Sequence, residues 1–438
     1  MKAISNIHQN RQGSTLLAVL GYLFLATGLV ATILTLSSTH ANISQRQVNM
    51  EQAMFVAEGG MECGARFMES NLTAIVNSTS GATNGSGTIN SGTYTFFICR
   101  TNDSTTYCII STGVVNNVKR VVSLMDVYQP TYAEYALWSV TNGAINFMAG
   151  EVFNGKVHSD DKLYFDNSNG GPVFHALVTS NAGTYSGSIS GIEFDQGFLL
   201  NTPEGTMADV DFNSAASTSL KNTANTSGLL LSGSSTITFN GATISVSNFR
   251  QSSPTNNHVY SISSDPIIYV AKAASGSSDV AATVYLKGGK VTGRLTIVNE
   301  ADMTIANNIT YTTDPRTTPS STDALGLITA DDIWVGTTAP DNLEIDAALM
   351  ATGSAAGSGT DGSFGVTGYN TGSSRGFLTV YGGIVQETRG AVGTGSGGTV
   401  STGYGKSYSY DPRFIVKPPP YYPVIKSLVN FSQWTEGH

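Results

Sequence analysis

Between Arg11 and Arg46 the chain carries no Asp, Glu, Lys or Arg. Inside that window residues 16–36 read LLAVLGYLFLATGLVATILTL. As a helix they would span about 31 Å, the thickness of a bilayer's hydrocarbon core. Lys2 and Arg11 precede the stretch, which predicts a cytoplasmic N-terminal side and places everything after residue 40 outside. A secretory signal has a shorter apolar core followed by a small-x-small cleavage site. Here the run is longer, and the pattern continues as a helix.

From Asn42 to about Asn71 there is no proline, and Gln, Met, Ala and Glu are frequent. Val48, Met54, Ala57, Met61, Ala65 and Met68 recur at spacings whose last four steps draw one apolar stripe on a helix. Gln45, Arg46, Glu51, Glu58, Glu62 and Glu69 take the wetter positions. A signal anchor followed by a juxtamembrane helix would show the same pattern.

Gln12-Gly13-Ser14-Thr15-Leu16-Leu17, after a short leader ending in Arg11, resembles a prepilin peptidase site, with the cut between Gly13 and Ser14. The stretch Gln52-Ala53-Met54-Phe55-Val56-Ala57-Glu58-Gly59-Gly60-Met61-Glu62 is similar to the signature of PilX-like minor type IV pilins and the large K-type pseudopilin. Tyr94-Thr95-Phe96, Ser111-Thr112-Gly113 and Lys119-Arg120-Val121-Val122 follow in the order of that family's short β-meander. The resemblance implies a subunit cleaved by prepilin peptidase, held first in the bacterial inner membrane and then in a pilus or at the cell surface. Its first helix would pack against other pilin or pseudopilin subunits through Leu16, Leu17, Ala18, Leu20, Leu23, Leu25, Leu29, Ile33 and Leu36. Major pilins carry a glutamate five residues into the mature chain, where this sequence has Ala18. That carboxylate neutralises a neighbouring subunit's α-amino group in a low-dielectric core. Its absence is shared with tip-type pseudopilins and points to a minor or tip subunit; a branch that assembles differently would also lack it.

Composition agrees with a turn-rich β protein behind this helix. Charged residues make up 12 % of the 438, Gly numbers 48, and the net charge is −9. An acidic balance without a basic stripe argues against nucleic acid as a partner. Cys99 ends one apolar run and Cys108 lies in the next, so paired strands would set the sulfurs opposite each other for a disulfide in an oxidising compartment. The alternative is two buried thiols. Cys63 has no evident partner and reads as a small apolar group on the helix.

After Tyr128-Gln129-Pro130 the composition shifts. Short apolar runs at 144–147, 151–153, 162–165, 173–178, 236–239, 242–246, 284–286, 294–298, 303–305 and 343–348 alternate with Gly, Asn, Asp and Ser turns, as in short strands. No amphipathic stretch long enough for a helix stands out. Turns at Asn154-Gly155, Asn169-Gly170, Asn240-Gly241 and Lys287-Gly288-Gly289 suit a right-handed β-helix or solenoid, and equally a two-sheet β-sandwich; the solenoid is preferred. The region also resembles an uncharacterised β-rich domain found behind PilX-like N-termini in bacterial envelope proteins. That resemblance runs through Asn154-Gly155-Lys156-Val157-His158-Ser159, Asp346-Ala347-Ala348-Leu349-Met350-Ala351, Gly376-Phe377-Leu378-Thr379-Val380-Tyr381-Gly382-Gly383 and Tyr410-Asp411-Pro412-Arg413-Phe414. It implies architecture and no chemistry. Segments 353–363 and 393–398 read as Gly/Ser-rich surface loops. Segment 191–229 lies outside the resembling blocks and reads as an insertion whose Asp195, Glu204, Asp209 and Asp211 form a solvated rim. Pro418-Pro419-Pro420 before Tyr421-Tyr422-Pro423 reads as extended polyproline, packed across a sheet or free for a partner.

Chemistry is sparse. Asp160-Asp161 and Asp331-Asp332 are candidate carboxylates for a polysaccharide-active enzyme, but neighbours on a strand point to opposite faces. His158 and His175 would need to meet on adjacent rungs. Asp160, Asp161 and Asp166 form a weak calcium candidate without an EF-hand's closing glutamate, position twelve being Leu177. The expected protein is α+β overall: leader 1–13, pilin-type helix 14–78 with a membrane span at about 16–36, β-meander 79–129, β-rich domain 130–417 and Pro/Tyr tail 418–438. The expected function is that of a non-enzymatic structural subunit, without a cofactor, in a type IV pilus or type II secretion-like filament. The rival is a signal-anchored surface adhesin or glycan-binding module.

Overall fold

The computed structural model describes residues 5–77, 82–100, 106–128, 130–204, 219–248, 257–264, 266–273, 281–353, 362–396, 398–415, 417–425 and 430–437. The chain divides into two compact units, Met1–Tyr128 with Phe431–His438, and Gln129–Asn430. The split after Tyr128 falls where the composition shifts. The tail does not stand apart as 418–438: its first part belongs to the second unit and its last eight residues to the first. Asp209, Asp211 and most of the 353–363 loop lie outside the described residues.

In the first unit, helix α1 (Ser5–Asn77) is continuous. It begins ahead of the expected start at Ser14, because no proline interrupts the leader and Gly13 alone does not stop a helix. An antiparallel meander follows: β1 (Ala82–Ile89), β2 (Gly92–Arg100), β3 (Thr106–Val115) and β4 (Val118–Tyr128). Asn116 and Asn117 connect β3 to β4 with φ of 46° and 65°, the mirror-image turn that suits the strands' twist. Strand Asn430–Gly437 adds a fifth member beside β4, from the far end of the chain.

The second unit is built mainly from parallel ladders. One column of residues runs in register through ten strands: Leu229, Ile268, Ile297, Leu327, Leu349, Ile384, Leu137, Val157, Val178 and Phe198. From Ile268 to Val178 every member is buried. The order in space differs from the order in sequence: strand Tyr135–Thr141, first of these in the chain, sits between Ser374–Thr388 and Lys156–Ser159. Phe153, Phe174 and Phe194 also stack in register, with centroids 5.2 Å apart at each step. Each buried side chain of this size contributes about 1.5–3 kcal/mol of transfer free energy.

The residue after each column member points away from that core, as strand alternation requires. Tyr269, Val298, Ile328, Met350, Val385 and Trp138 form an outer apolar stripe, itself buried. It is covered by Leu220 and Ala224 of the eight-residue helix α2 (Leu220–Ser227) and by Tyr132, Phe414 and Tyr422. Helix α2 is the element that the all-β expectation missed. Ser219 starts it, its Oγ accepting from the Asn222 N–H at 3.1 Å. The Pro-rich tail packs across a sheet, with the Arg294 guanidinium donating to the Pro418 carbonyl and the Thr296 hydroxyl to that of Pro420.

The third position of each triplet is mostly polar yet buried: Asn299, Thr329, Gln386, Ser139, Ser159 and Ser180. These side chains satisfy turn backbone and one another. Asn142 Nδ2 donates to Ser159 Oγ at 2.6 Å and to the Lys162 carbonyl at 2.8 Å, and Gln386 Oε1 accepts from Phe364 N at 3.0 Å. Two expected turns differ. Asn240-Gly241 closes an antiparallel hairpin between Ser235–Gly241 and Thr243–Asn248. Gly288-Gly289 lies inside strand Val284–Val291, where φ of 82° and 120° bends it from one partner strand, Met303–Ile305, to the next, Ile309–Tyr311.

Candidate functional site

Helix α1 has two halves with different surroundings. From Asn49 onward one face is buried: Asn49, Ala53, Val56, Ala57, Gly60, Gly64 and Met68. The stripe read from sequence is displaced, since Met54, Met61 and Ala65 are only half-buried. The cause is steric. The helix lies so close to the sheet that a Cβ on Gly113 of β3 would stand 2.3 Å from the Ala53 carbonyl oxygen, and one on Gly60 would stand 2.8 Å from Cβ and Cδ2 of Tyr94. Small residues mark this contact better than large apolar ones. Asn49 Oδ1 accepts from Asn116 Nδ2 at 3.2 Å, tying the helix to the β3–β4 turn. Cys99 and Cys108 are register partners on β2 and β3, with Cα atoms 5.2 Å apart, and are joined as a disulfide. Cys63 is a free thiol.

Among the described residues of the first half, 15–48, none is buried. Leu16, Leu17, Ala18, Leu20, Leu23, Leu25, Leu29, Ile33 and Leu36 are all exposed, Leu17 at 74 % and neighbouring Phe24 at 82 %. This part of the helix is long and apolar enough to cross a membrane, with a mean hydropathy of 2.2. Its threonines need no water: the hydroxyls of Thr27, Thr32, Thr35 and Thr39 donate to carbonyls of Leu23, Leu29, Thr32 and Thr35 at 2.8–3.0 Å. Leaving each large apolar side chain in water forfeits about 1.5–3 kcal/mol, so the segment demands lipid or other apolar helices. Gly13 and Ser14 lie within helix α1; their side chains fall outside the described set.

In the second unit the expected polar candidates do not converge. Asp160 Oδ1 faces His158 Nε2 at 3.1 Å, Asp161 Oδ2 accepts from Asn142 N at 3.4 Å, and Asp166 Oδ1 accepts from Ser168 N at 3.0 Å. Asp160 and Asp166 have local partners, while Asp161 reaches the turn at Asn142. His158 and His175 do not pair either: the register partner of His158 is Thr179, bonded at 2.7 Å, while His175 meets Asp195 at 2.7 Å. Glu204, read as part of a solvated rim, accepts from the Tyr135 hydroxyl at 3.0 Å.

Among the described residues, three carboxylates with oxygens within 4.8 Å of one another are Asp302, Asp331 and Asp332, all half-buried. Asp302 was not foreseen. The ladder pairs Met303 with Ile333, which stacks the aspartates preceding them. The repeated Asp-apolar-x-apolar pattern at 302–305 and 332–335 was the available signal. Oxygen ligands of this kind suit hard cations, but backbone N–H groups already use two of the oxygens: Asp332 N donates to Asp302 Oδ1 at 3.3 Å, and Ser363 N to Asp332 Oδ1 at 2.6 Å.

Sequence reasoning also missed the buried charges. Burial pushes the Glu134 and Asp346 carboxyls up to about 7, against the lowering effects of Lys156 on the first and of the Tyr311 N–H and Arg316 on the second. Glu151 and Lys406 form a buried ion pair at 2.7 Å, near the fully buried Arg389. Nothing local in the sequence announces that trio, because only the stacking brings its members together.

No family model and no curated protein matches the sequence. Among solved structures, the competence-associated pilin ComZ from Thermus thermophilus is similar at 12 % identity with a TM-score of 0.37, the alignment covering 89 % of this chain and 98 % of that one. At that identity and TM-score the likeness assigns neither fold nor function.

Proposed function

We propose that the chain is a pilin-like structural subunit, of minor or tip type, in a type IV pilus or type II secretion-like filament. The observation that carries this reading is helix α1: one continuous rod whose apolar first half has no cover in its own unit, while its second half is clamped to a sheet. Such a rod serves first as an inner-membrane anchor and then as a strut buried among sister helices. The motif around Gly13-Ser14 supports trimming by prepilin peptidase, and Ala18 in place of the usual carboxylate supports a minor or tip position.

The second unit, in this reading, is a right-handed β-solenoid presented outside the cell for assembly, adhesion or cargo contact, without enzymatic turnover. The in-register parallel column and the stacked Phe153, Phe174 and Phe194 support a solenoid. A sandwich of antiparallel sheets would lack these ladders. Parallel crossovers are right-handed in about 98 % of cases, which supports the hand.

Mass spectrometry of the protein from its native cells tests the proposal: the mature chain begins at Ser14. Replacing Gly13 by a bulky residue leaves the chain at full length and outside filaments, and deleting residues 1–40 gives a soluble protein that does not assemble. A native chain that still begins at Met1 and never co-purifies with fibres overturns the reading.

A further inference from the structure

A cavity of about 330 Å³ opens in the second unit between the turn around Ile145–Glu151 and the hairpin formed by strands Gly393–Ser396 and Thr399–Tyr410. That volume is at the lower end of small-ligand sites. Its uncharged walls are of two kinds. Phe377, 58 % exposed, and Val400 offer apolar surface. Gly150, where an added Cβ would meet nothing within 4 Å, offers bare backbone that a ligand can approach closely.

The ion pair of Glu151 and Lys406 lines this cavity, the two side chains being only 8 % and 11 % exposed. Arg389 lies alongside. Its Nη1 donates to the carbonyl of Ile145, another lining residue, at 2.9 Å, and its guanidinium sits 3.9 Å from the centroid of the Phe147 ring. Glu151 Oε2 and Arg389 Nη2 are buried without a hydrogen-bond partner. Burial pushes the ammonium of Lys406 and the guanidinium of Arg389 down from their ordinary values. Two cations therefore share one anion in a low-dielectric place, leaving one positive charge uncompensated. Protein interiors avoid that arrangement unless something completes it.

We propose that this cavity binds one carboxylate-bearing sugar unit of an acidic polysaccharide. Its carboxylate is held by Lys406 with Arg389 behind, its hydroxyls meet the glycine backbone, and its ring lies against Phe377 and Val400. A neutral sugar would leave the extra charge unanswered. A compact inorganic anion would leave the apolar wall unused. The site belongs to the second unit alone, so it stands or falls independently of filament entry.

The test uses the full chain in detergent, titrated by calorimetry and ligand-observed NMR with galacturonate and glucuronate trisaccharides and with their uncharged methyl esters. The acids bind, and the esters bind at least tenfold more weakly. Lys406→Gln abolishes the preference for acid over ester. Phe377→Ala, at an exposed position that leaves the melting temperature unchanged, weakens binding at least fivefold, and Val400→Trp fills the cavity and removes it. No binding of either acid at millimolar concentration overturns the proposal, as does equal binding of acid and ester. Undiminished binding by a folded Val400→Trp protein places the ligand elsewhere and overturns it too.

Discussion

Two regions of this chain are strongly apolar and solve burial in opposite ways. Residues 16–36 form a helix with none of its most apolar window buried. The column from Ile268 to Val178 is assembled from single residues far apart in sequence, and it is buried throughout. The first region is continuous in sequence and satisfies its own backbone, so it folds without its own unit's help and then needs external cover. The second has no meaning until every strand is in place, after which it needs nothing from outside. Hydrophobicity alone does not say whether a segment is core or contact surface; a continuous helix can stand uncovered because it meets its own backbone hydrogen bonds, whereas these strands cannot.

The contrast is broken most sharply by matched truncations. Leu327→Ala, at the centre of the column, costs about 2–5 kcal/mol of stability, since the rigid neighbours on both rungs leave a cavity. Leu25→Ala leaves the denaturation midpoints of the detergent-solubilised protein unchanged. Equal losses in the two variants, measured by chemical denaturation, would mean that the helix is covered within its own chain and that the comparison fails.

A smaller effect separates the two units. Replacing Cys99 and Cys108 together by Ala removes a link closing a loop with a sequence separation of 9, worth about 2.5 kcal/mol by chain entropy. Differential scanning calorimetry shows the loss in the transition of the first unit, while that of the column unit keeps its midpoint.

The column unit carries a pH signature of its own. Glu134 and Asp346 have folded values near 7, above the ordinary unfolded value of about 4. For a carboxyl raised in this way the stabilising contribution is full below about pH 4, falls as pH rises towards 7, and is flat above. Asp346→Asn keeps an acceptor for the Tyr311 N–H and removes the buried charge, so it stabilises by on the order of 2 kcal/mol at pH 8 and by nothing at pH 4. Urea melts at the two pH values read the difference. A gain of the same size at pH 4 would show that packing, not ionisation, is responsible.

How much of this was legible follows from the range of each interaction. The long apolar helix was plain because its signal is local: no charge between Arg11 and Arg46. Strands such as Met303–Ile305 were local too. The helix stripe was misplaced because the contact is set by absent side chains, at Gly60, Gly64 and Gly113, and hydrophobic periodicity does not count those. The ladder is written in triplets, Ile297-Val298-Asn299, Leu327-Ile328-Thr329, Ile384-Val385-Gln386 and Leu137-Trp138-Ser139, in which core, outer stripe and polar corner follow one another. Unequal spacing, and a first strand that sits mid-stack, hid the repeat. The trio of Glu151, Arg389 and Lys406 was beyond reach, since each residue alone reads as a solvated charge.

The smallest effect bears on the exposed region itself. An added Cβ on Gly21 meets nothing within 4 Å, so no contact described in the chain accounts for a glycine there. Within a helix it is a liability of up to about 1 kcal/mol relative to alanine. Gly21→Ala therefore leaves the isolated, detergent-solubilised protein unchanged or makes it slightly more stable. If a sister helix packs against this spot, the same methyl group holds the two backbones apart, as at other small-residue helix crossings. Gly21→Leu then enlarges the effect in the filament while still sparing the isolated chain. Filament yield from cells carrying each variant, set against the melting temperature of the purified protein, reads the two arms separately. A fall in yield from wild type through Ala to Leu, with no loss of melting temperature, locates a helix–helix contact at Gly21. Unchanged yield in both variants means that this face of the helix meets lipid or a loosely packed neighbour, and any contact between sister helices must then be sought on another face.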